Sequence, residues 1–328
     1  MSTPSALPLG KLPPELLARL INLDGQPASV LDRVIVGPGI GLDCAVLDFG
    51  DRYLVCKTDP ITFATDEIGW YAVQINANDV ACSGARPQFF LATVLLPEAA
   101  GNSALAERIF AQMKSACASL GAALVGGHTE ITYGIERPIV SGTMLGEVAR
   151  ERLITAAGAQ MGDSVLLTKG YPIEAISIIA REVKQAADQF EVDFIRRCQG
   201  FLRSPGISVV KDAQVALSAG KVSAMHDPTE GGIAAGLWEL AEASGRGIEV
   251  AISALPLLPE GDRLCRAFTL DPLGCIASGA LLLTTPEPEK IRLALEQAGI
   301  PAYVIGKVTD GKGVNLPRPA RDEIAKLF

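Results

Sequence analysis

The stretch Ile75-Asn76-Ala77-Asn78-Asp79-Val80-Ala81-Cys82-Ser83-Gly84-Ala85 is small or apolar except at Asn76, Asn78, Asp79 and Ser83. Asn76, Asp79 and Ser83 fall at i, i+3 and i+7, one stripe of a helix otherwise suited to burial. A buried amide without a partner costs roughly 2–7 kcal/mol, and a buried carboxylate costs more. Capping satisfies neither Asn76 nor Asp79, because both lie well inside the helix. The chain must therefore bring other polar groups, or a bound cation, to this stripe. A structural network and a binding site both meet that demand, and the residue types favour a site.

The rest of the pattern mixes helices and strands without strict βαβ regularity, which makes the class α+β. With 328 residues the chain has room for two domains of ordinary size. A short helix is expected over 14–23, with Leu16, Leu17, Leu20 and Ile21 on one side. Strands at 45–49 and 53–58 read as a hairpin turning at Gly50-Asp51. Further strands are expected at 89–96, 122–125 and 138–148. A helix over 66–83, with Asp66 as N-cap, and an amphipathic helix over 105–120 complete a β-rich sandwich ending near residue 150. Beyond it come strands at 164–168, 222–225, 247–252, 276–284 and 302–308. Helices are expected over 173–184, 192–202, 208–218, 231–244 and 287–298, with a short one around Arg263.

Composition removes several classes. A formal charge of −8 gives no reason to expect a nucleic acid or an anionic membrane as partner. No apolar run is long enough to span a bilayer, and the first residues lack the basic start and apolar core of a secretory signal. The seven cysteines are scattered and include no CxxC pair, as expected of buried thiols in a reducing cytoplasm. None of the Gly-Lys pairs sits in a GxxxxGK[ST] frame, so there is no P-loop. The loop Gly37-Pro38-Gly39-Ile40-Gly41 is not GxGxxG and does not follow a strand, against a dinucleotide site.

Four more segments place acids where surface decoration is a poor explanation. Asp43 stands between the glycine loop and the apolar strand beginning at Ala45, and glycines there let backbone N–H groups approach a phosphate. Lys57-Thr58-Asp59 ends a strand, where ligands usually sit. Gly126-Gly127-His128-Thr129-Glu130 follows the strand at 122–125 and reads as a turn presenting three polar side chains. His226-Asp227-Pro228-Thr229-Glu230-Gly231-Gly232 lies between strand and helix, where free N–H groups can receive an anion. Each segment taken alone also reads as an ordinary turn, an Asx turn or a helix cap.

Taken in order, Asp43-x-Ala45-Val46, Thr58-Asp59, Asn78-Asp79 with Gly84-Ala85 and Pro87, Gly126-Gly127-His128-Thr129, and Asp227-Pro228-Thr229 with Gly231-Gly232 resemble the aminoimidazole ribonucleotide synthetase (PurM-like) superfamily. The nearest likeness is to its hydrogenase-maturation branch, which the stretch Glu242-Ala243-Ser244-Gly245-x-Gly247-Ile248 supports. The resemblance implies a two-domain α+β fold. It would comprise an N-terminal extension with a short helix (1–34), an ATP-binding and dimerisation domain (35–150) whose strands build a homodimeric barrel, and a C-terminal α/β sandwich domain (151–328). It also implies ATP and Mg²⁺ as cofactors, with Asp43, Asp59 and Asp79 holding the metal. Gly37, Gly39, Gly41, Lys57, Thr58, Asn76, Asn78, Gly126, Gly127 and Thr129 would line the nucleotide. His128, Glu130 and Asp227 are the candidate catalytic groups. The chemistry implied is ATP activation of an amide-like or phosphate oxygen, on a small molecule or a protein side chain. A non-catalytic nucleotide-binding scaffold and a thiamine-monophosphate-kinase-like phosphotransferase are the alternatives. Relatives commonly carry an acid where His128 stands and an Arg where Glu230 stands. Hydrogenase-maturation members end in a carbamoyl-carrying cysteine, whereas this sequence ends Ala325-Lys326-Leu327-Phe328, so a different acceptor is expected.

Overall fold

The computed structural model describes residues 12, 14–21, 26–39 and 41–328. The expected helix over 14–23 is present as α1 (Pro14–Leu20); its last two expected residues, and Ile40 of the glycine loop, lie outside the described residues.

The first half holds α2 (Ala28–Leu31), β1 (Val34–Val36), β2 (Ala45–Asp48), β3 (Arg52–Ile61), α3 (Ile68–Cys82), β4 (Arg86–Pro97), α4 (Ser103–Leu120), β5 (Ala123–Thr132) and β6 (Ile139–Ala149). Its strands form one six-stranded sheet in the order β1-β2-β3-β6-β4-β5. All neighbours are antiparallel except β4 and β5, which α4 connects as a parallel crossover. The second half contains β7 (Ser164–Thr168), α5 (Ile173–Glu182), α6 (Lys184–Gln189), α7 (Val192–Gly200), α8 (Val210–Ala219), β8 (Ala224–His226) and α9 (Gly232–Ser244). It continues with β9 (Gly247–Val250), α10 (Pro259–Phe268), β10 (Leu282–Thr285), α11 (Pro288–Gln297), β11 (Ala302–Thr309) and β12 (Gly313–Val314). These strands build a second mixed sheet, ordered β12-β9-β11-β7-β10-β8. The architecture is a two-domain α+β fold with two mixed sheets.

The first half is a single sheet with α3 and α4 packed on one face, in keeping with the expected layering of strands and two helices. Three expectations need correction. The strand expected at 122–125 runs on to Thr132, so the Gly-Gly segment is strand and not turn. A Cβ on Gly127 would sit 2.0 Å from the carbonyl oxygen of Ala92, so glycine is what permits this pairing. The strand expected over 276–284 is only Leu282–Thr285, because Ala280 N–H turns back to the Ala277 carbonyl and Gly279 takes a positive φ. Asp66 caps nothing: α3 starts after Glu67, which provides no side-chain cap, and Asp66 pairs with Arg181 instead.

Strand β6 alternates strictly, with Val140, Met144 and Val148 turned toward α3 and the intervening residues half-buried on the other face. That outer face carries Leu91, Leu95, Leu145 and the exposed Phe89, and α3 and α4 pack on the opposite side. Among the described residues no helix is long and apolar enough to cross a membrane.

Helix α3 also ties the two halves together. Asn78 Nδ2 donates to the Ile207 carbonyl at 2.8 Å, and its Oδ1 accepts from Val209 N–H at 2.8 Å. An unmade buried hydrogen bond costs about 1–3 kcal/mol for each group left without a partner. Asn78→Ala is therefore expected to lower the unfolding free energy by roughly 2–4 kcal/mol in urea denaturation. Asn78→Asp, which keeps the acceptor and loses the donor, should also destabilise the protein.

Candidate functional site

Strand alternation sends Lys57 and Asp59 to the inner face of β3 and leaves Thr58 on the outer one. Thr58 Oγ1 donates to the Gly142 carbonyl at 2.8 Å and stands 3.2 Å from Thr143 Oγ1, away from the inner cluster. Lys57 Nζ lies 3.3 Å from Asp59 Oδ2 and 3.2 Å from Asp79 Oδ2. Burial opposes its charge, but Asp79, Asp43 and Asp59 outweigh burial and hold the ammonium well above the usual lysine range.

Asp79 is buried in the middle of α3. Burial pushes its carboxyl well up against the pull of Lys57, and the nearby Asp227, Asp43 and Asp59 push the same way. Asp227, just past the end of β8, is raised to about 6, by burial first and then by Asp43. Its Oδ1 accepts a hydrogen bond from Cys82 Sγ at 3.6 Å. The Oδ2 atom of Asp227 is buried and has no hydrogen-bond partner among the described residues, whereas the buried Oδ2 of Asp79 faces Lys57 Nζ. Cys44 and Cys82 stay protonated because burial raises both thiols.

Four aspartates from four separate stretches thus meet around one lysine. Sequence reasoning did not assign a role to His226, which completes the cluster. Its Nδ1 is 3.0 Å from Asp43 Oδ2 and its Nε2 is 2.9 Å from Glu239 Oε2 of α9. Burial opposes the imidazolium, but Asp43 and Glu239 hold its pKa well above the usual histidine value. A glutamate, Glu239, in a mostly apolar α9 was the available signal.

A small cavity of about 30 Å³ opens beside Asp43, Asp79, Cys82 and Ser83, room for a water- or ion-sized guest. Among the described residues no three His, Cys, Asp or Glu side chains are already disposed to chelate an ion, and Lys57 stands between two of the carboxylates. Mg²⁺ seldom uses an all-protein cage; it takes one or two carboxylates and completes its shell with waters and phosphate oxygens. Hard oxygen donors and an excess of carboxylates over cations both suit such an ion.

The other candidate residues divide. Asn76 is buried beside the cluster, with its Nδ2 donating to the Ala72 carbonyl at 2.8 Å and to that of Asp59 at 3.3 Å. Both polar atoms of the Asn78 side chain bind the backbone of Ile207 and Val209. Gly37 and Gly39 lie in the loop before Asp43, and Gly41 is pressed against α9, where a Cβ would come within 2.8 Å of the Glu239 carbonyl. Gly126, Gly127, His128, Thr129 and Glu130 lie on β5, an edge strand three strand spacings, roughly 14 Å, from β3. There His128 Nε2 and Glu130 Oε2 are 3.1 Å apart and both side chains are exposed. Within one chain they are not part of the aspartate cluster.

Sequence profiles of the AIR synthase related protein match this chain twice, the N-terminal domain at residues 41–148 and the C-terminal domain at 160–317. The chain belongs to this family. A carbamoyl dehydratase HypE of Rhodobacter capsulatus is 30% identical over 312 residues, 91% of this chain and 86% of the relative. A putative hydrogenase expression/formation protein of Methanocaldococcus jannaschii is 28% identical over 299 residues, 87% and 86% of the two chains. A thiamine-monophosphate kinase of Aquifex aeolicus is 28% identical over 300 residues, 87% and 91%. Among solved structures, a hydrogenase maturation protein HypE in complex with ATP superposes with a TM-score of 0.67 at 26% identity, covering 92% of this chain and 91% of that one.

Ionised Asp227 is a burden on the fold. A carboxyl whose folded pKa rises from 3.8 to about 6 leaves stability intact below pH 4, and that stability is lost as the pH climbs through 6. Asp227→Asn should abolish this loss, so that relative to the native chain the variant gains up to roughly 3 kcal/mol between pH 4 and pH 8. Urea unfolding at the two pH values measures the difference.

Proposed function

We propose that this chain is a Mg-ATP-dependent enzyme resembling the hydrogenase-maturation carbamoyl dehydratases, activating an amide-like or phosphate oxygen of its substrate. The observation that carries the reading is the convergence of Asp43, Asp59, Asp79 and Asp227 around Lys57, with more negative charge than Lys57 and His226 offset. Such an arrangement is costly unless a cation joins it. The ATP complex of a relative with the same fold supports ATP as the nucleotide.

In this reading Asp43, Asp59 and Asp79 hold Mg²⁺ together with the triphosphate. Bound there, the ion would supply charge neutralisation at the phosphate oxygens. Lys57, charged and buried, turns its ammonium to the phosphates. His226, gripped from both sides by Asp43 and Glu239, fixes the Asp43 carboxylate. Asp227, with a pKa of about 6, exchanges a proton near neutrality at the other side of the cluster. The loop of Gly37, Gly39 and Gly41 forms a wall where backbone groups approach the nucleotide closely.

A second copy of the chain completes the site. The outer face of the first sheet is half apolar, with α3 and α4 on the opposite side, and among the described residues β5 is an edge strand. Facing sheets of two copies would close the barrel and bring Thr58, His128, Thr129 and Glu130 into the dimer's interior. Six of the seven cysteines are buried and all are free, which suits the cytoplasm.

Asp79→Asn is expected to reduce Mg-ATP turnover by at least about 100-fold while the far-UV spectrum stays native. Unchanged turnover in that variant would sink the site assignment. ATP binding in calorimetry with no phosphate release across amide and thiol substrates would instead favour a scaffold. The kinase relative motivates one further reading, which labelled γ-phosphate settles: label on an acceptor means phosphotransfer, and label free in solution means dehydration or ligation. For the dimer, Leu145→Lys at the centre of the outer face should convert a species of twice the chain mass to monomer in light scattering.

A further inference from the structure

A second cavity, of about 150 Å³, lies between the two halves beside the aspartate cluster. One wall is the end of β3 and the residues after it, 59–64, with Ile75 of α3. The other comes from α5, through Glu174 and Ile178, and from Thr229, Glu230, Ile276 and Ser278. Ile61, Phe63, Ile75, Ile178 and Ile276 give the space an apolar body. Protein interiors seldom leave voids larger than a water molecule, and this one matches a volume that admits benzene.

The walls offer a guest no unpaired charge. No Lys, Arg or His is among the lining residues. Asp59 Oδ2 is 3.3 Å from Lys57 Nζ, and Glu230 is itself partnered. Glu174, buried at 4% exposure, is hydrogen-bonded to the side chain and the backbone of Ser278, yet burial pushes its carboxyl up to about 8, with Asp322 and Glu230 adding to the push. The acid is therefore neutral at pH 7. Ser278 gives its hydroxyl and N–H hydrogens to the carboxyl oxygens, which leaves the hydrogen of the acid itself to be donated. A carboxylic acid held neutral in an apolar site serves as a hydrogen-bond donor. The titratable groups around it are Glu230 of the turn before α9, Asp322 of the segment after β12, Asp59 across the cavity, and Tyr71 of α3, whose hydroxyl lies 3.1 Å from Ser177 Oγ.

We propose that this cavity binds a small uncharged molecule with an apolar body and a carbonyl oxygen, which accepts the acid hydrogen of Glu174. The isoleucines and Phe63 take the hydrocarbon. A carbonyl oxygen only accepts, so one donor meets it, whereas a hydroxyl brings a hydrogen that also needs a partner. An anion would find no cationic side chain in the lining. A cation would find Asp59 already held by Lys57 and Glu174 without charge. The inference deepens the proposed function: of the two oxygens that reading allows, amide-like and phosphate, it selects the uncharged one for the second substrate. It rests on that reading for this role only, since binding itself requires no nucleotide.

The test is a ligand-observed NMR titration of the full chain without ATP, with cyclopentanone, cyclopentylammonium and butyrate as probes of benzene's size. At pH 7 cyclopentanone should bind at least about tenfold more tightly than either ion. Its affinity should be full below the Glu174 pKa of about 8 and fall roughly 30-fold between pH 7 and pH 9.5 as the donor ionises. Asp227 and Asp322, each raised to about 6, are largely ionised across that range. Glu174→Gln keeps a donor that does not titrate, so that variant, checked for native circular dichroism, should bind the ketone alike at both pH values. The proposal is overturned if the ketone does not bind, if an ion binds as tightly, or if ketone affinity in the native chain is flat with pH. A fall with pH that persists in folded Glu174→Gln also overturns it. Titrating Mg-ATP separately keeps the two ideas apart. Ketone selectivity without ATP binding would sink the nucleotide reading and keep this one, and the reverse would sink this one alone.

Discussion

Helix α3 lies on the first sheet at a separation that glycine makes possible. A Cβ on Gly142 of β6 would come within 2.5 Å of Asn76 Nδ2, and one on Gly146 within 2.6 Å of Val80. Because the helix sits this close, the inward side of β3 and the polar stripe of α3 share one small volume. Lys57 can then reach Asp59 on its own strand and Asp79 on the helix with one ammonium. Raise the helix by the thickness of a methyl group and that ammonium spans neither pair well, and Asp79 becomes an uncompensated buried charge. The cluster is thus a product of backbone proximity as much as of side-chain chemistry.

This explains which parts of the site the sequence disclosed. Inward carboxylates on a strand end and in mid-helix announce themselves through the two periodicities, so Asp59 and Asp79 could be picked out, and Asp43 and Asp227 followed from their place at loop-to-strand and strand-to-helix junctions. The bonds of Asn78 were hidden because both its partners are backbone atoms far along the chain. His226 was hidden for a similar reason: its partner Glu239 is one of two acids on a mostly apolar helix, and nothing local tells it from Glu242. The β5 misreading has a plainer cause. A Gly-Gly pair permits a turn, but it equally permits two strands to approach more closely than a side chain allows, and here Ala92 requires the second use.

The elements themselves were more legible than the order of strands in the sheets. Most helices and strands start and stop within a few residues of where apolar spacing and glycine stops put them. Gly121 and Gly245 both end helices in the left-handed conformation as their positions suggested. The order of strands within each sheet depends on long-range pairing, such as β3 with β6, which alternation along one strand does not reveal. Families of one architecture also host several chemistries, so the fold narrows the reaction class and leaves the acceptor to be read from cavities.

Asn78 has a mechanical consequence. A side chain that grips main-chain atoms across the cleft, from the middle of a helix seated on the other sheet, acts as a pin. Pulling the halves apart would break both of these hydrogen bonds together, so wide gaping is disfavoured. A machine pinned in this way is built to hold its two working faces in fixed register.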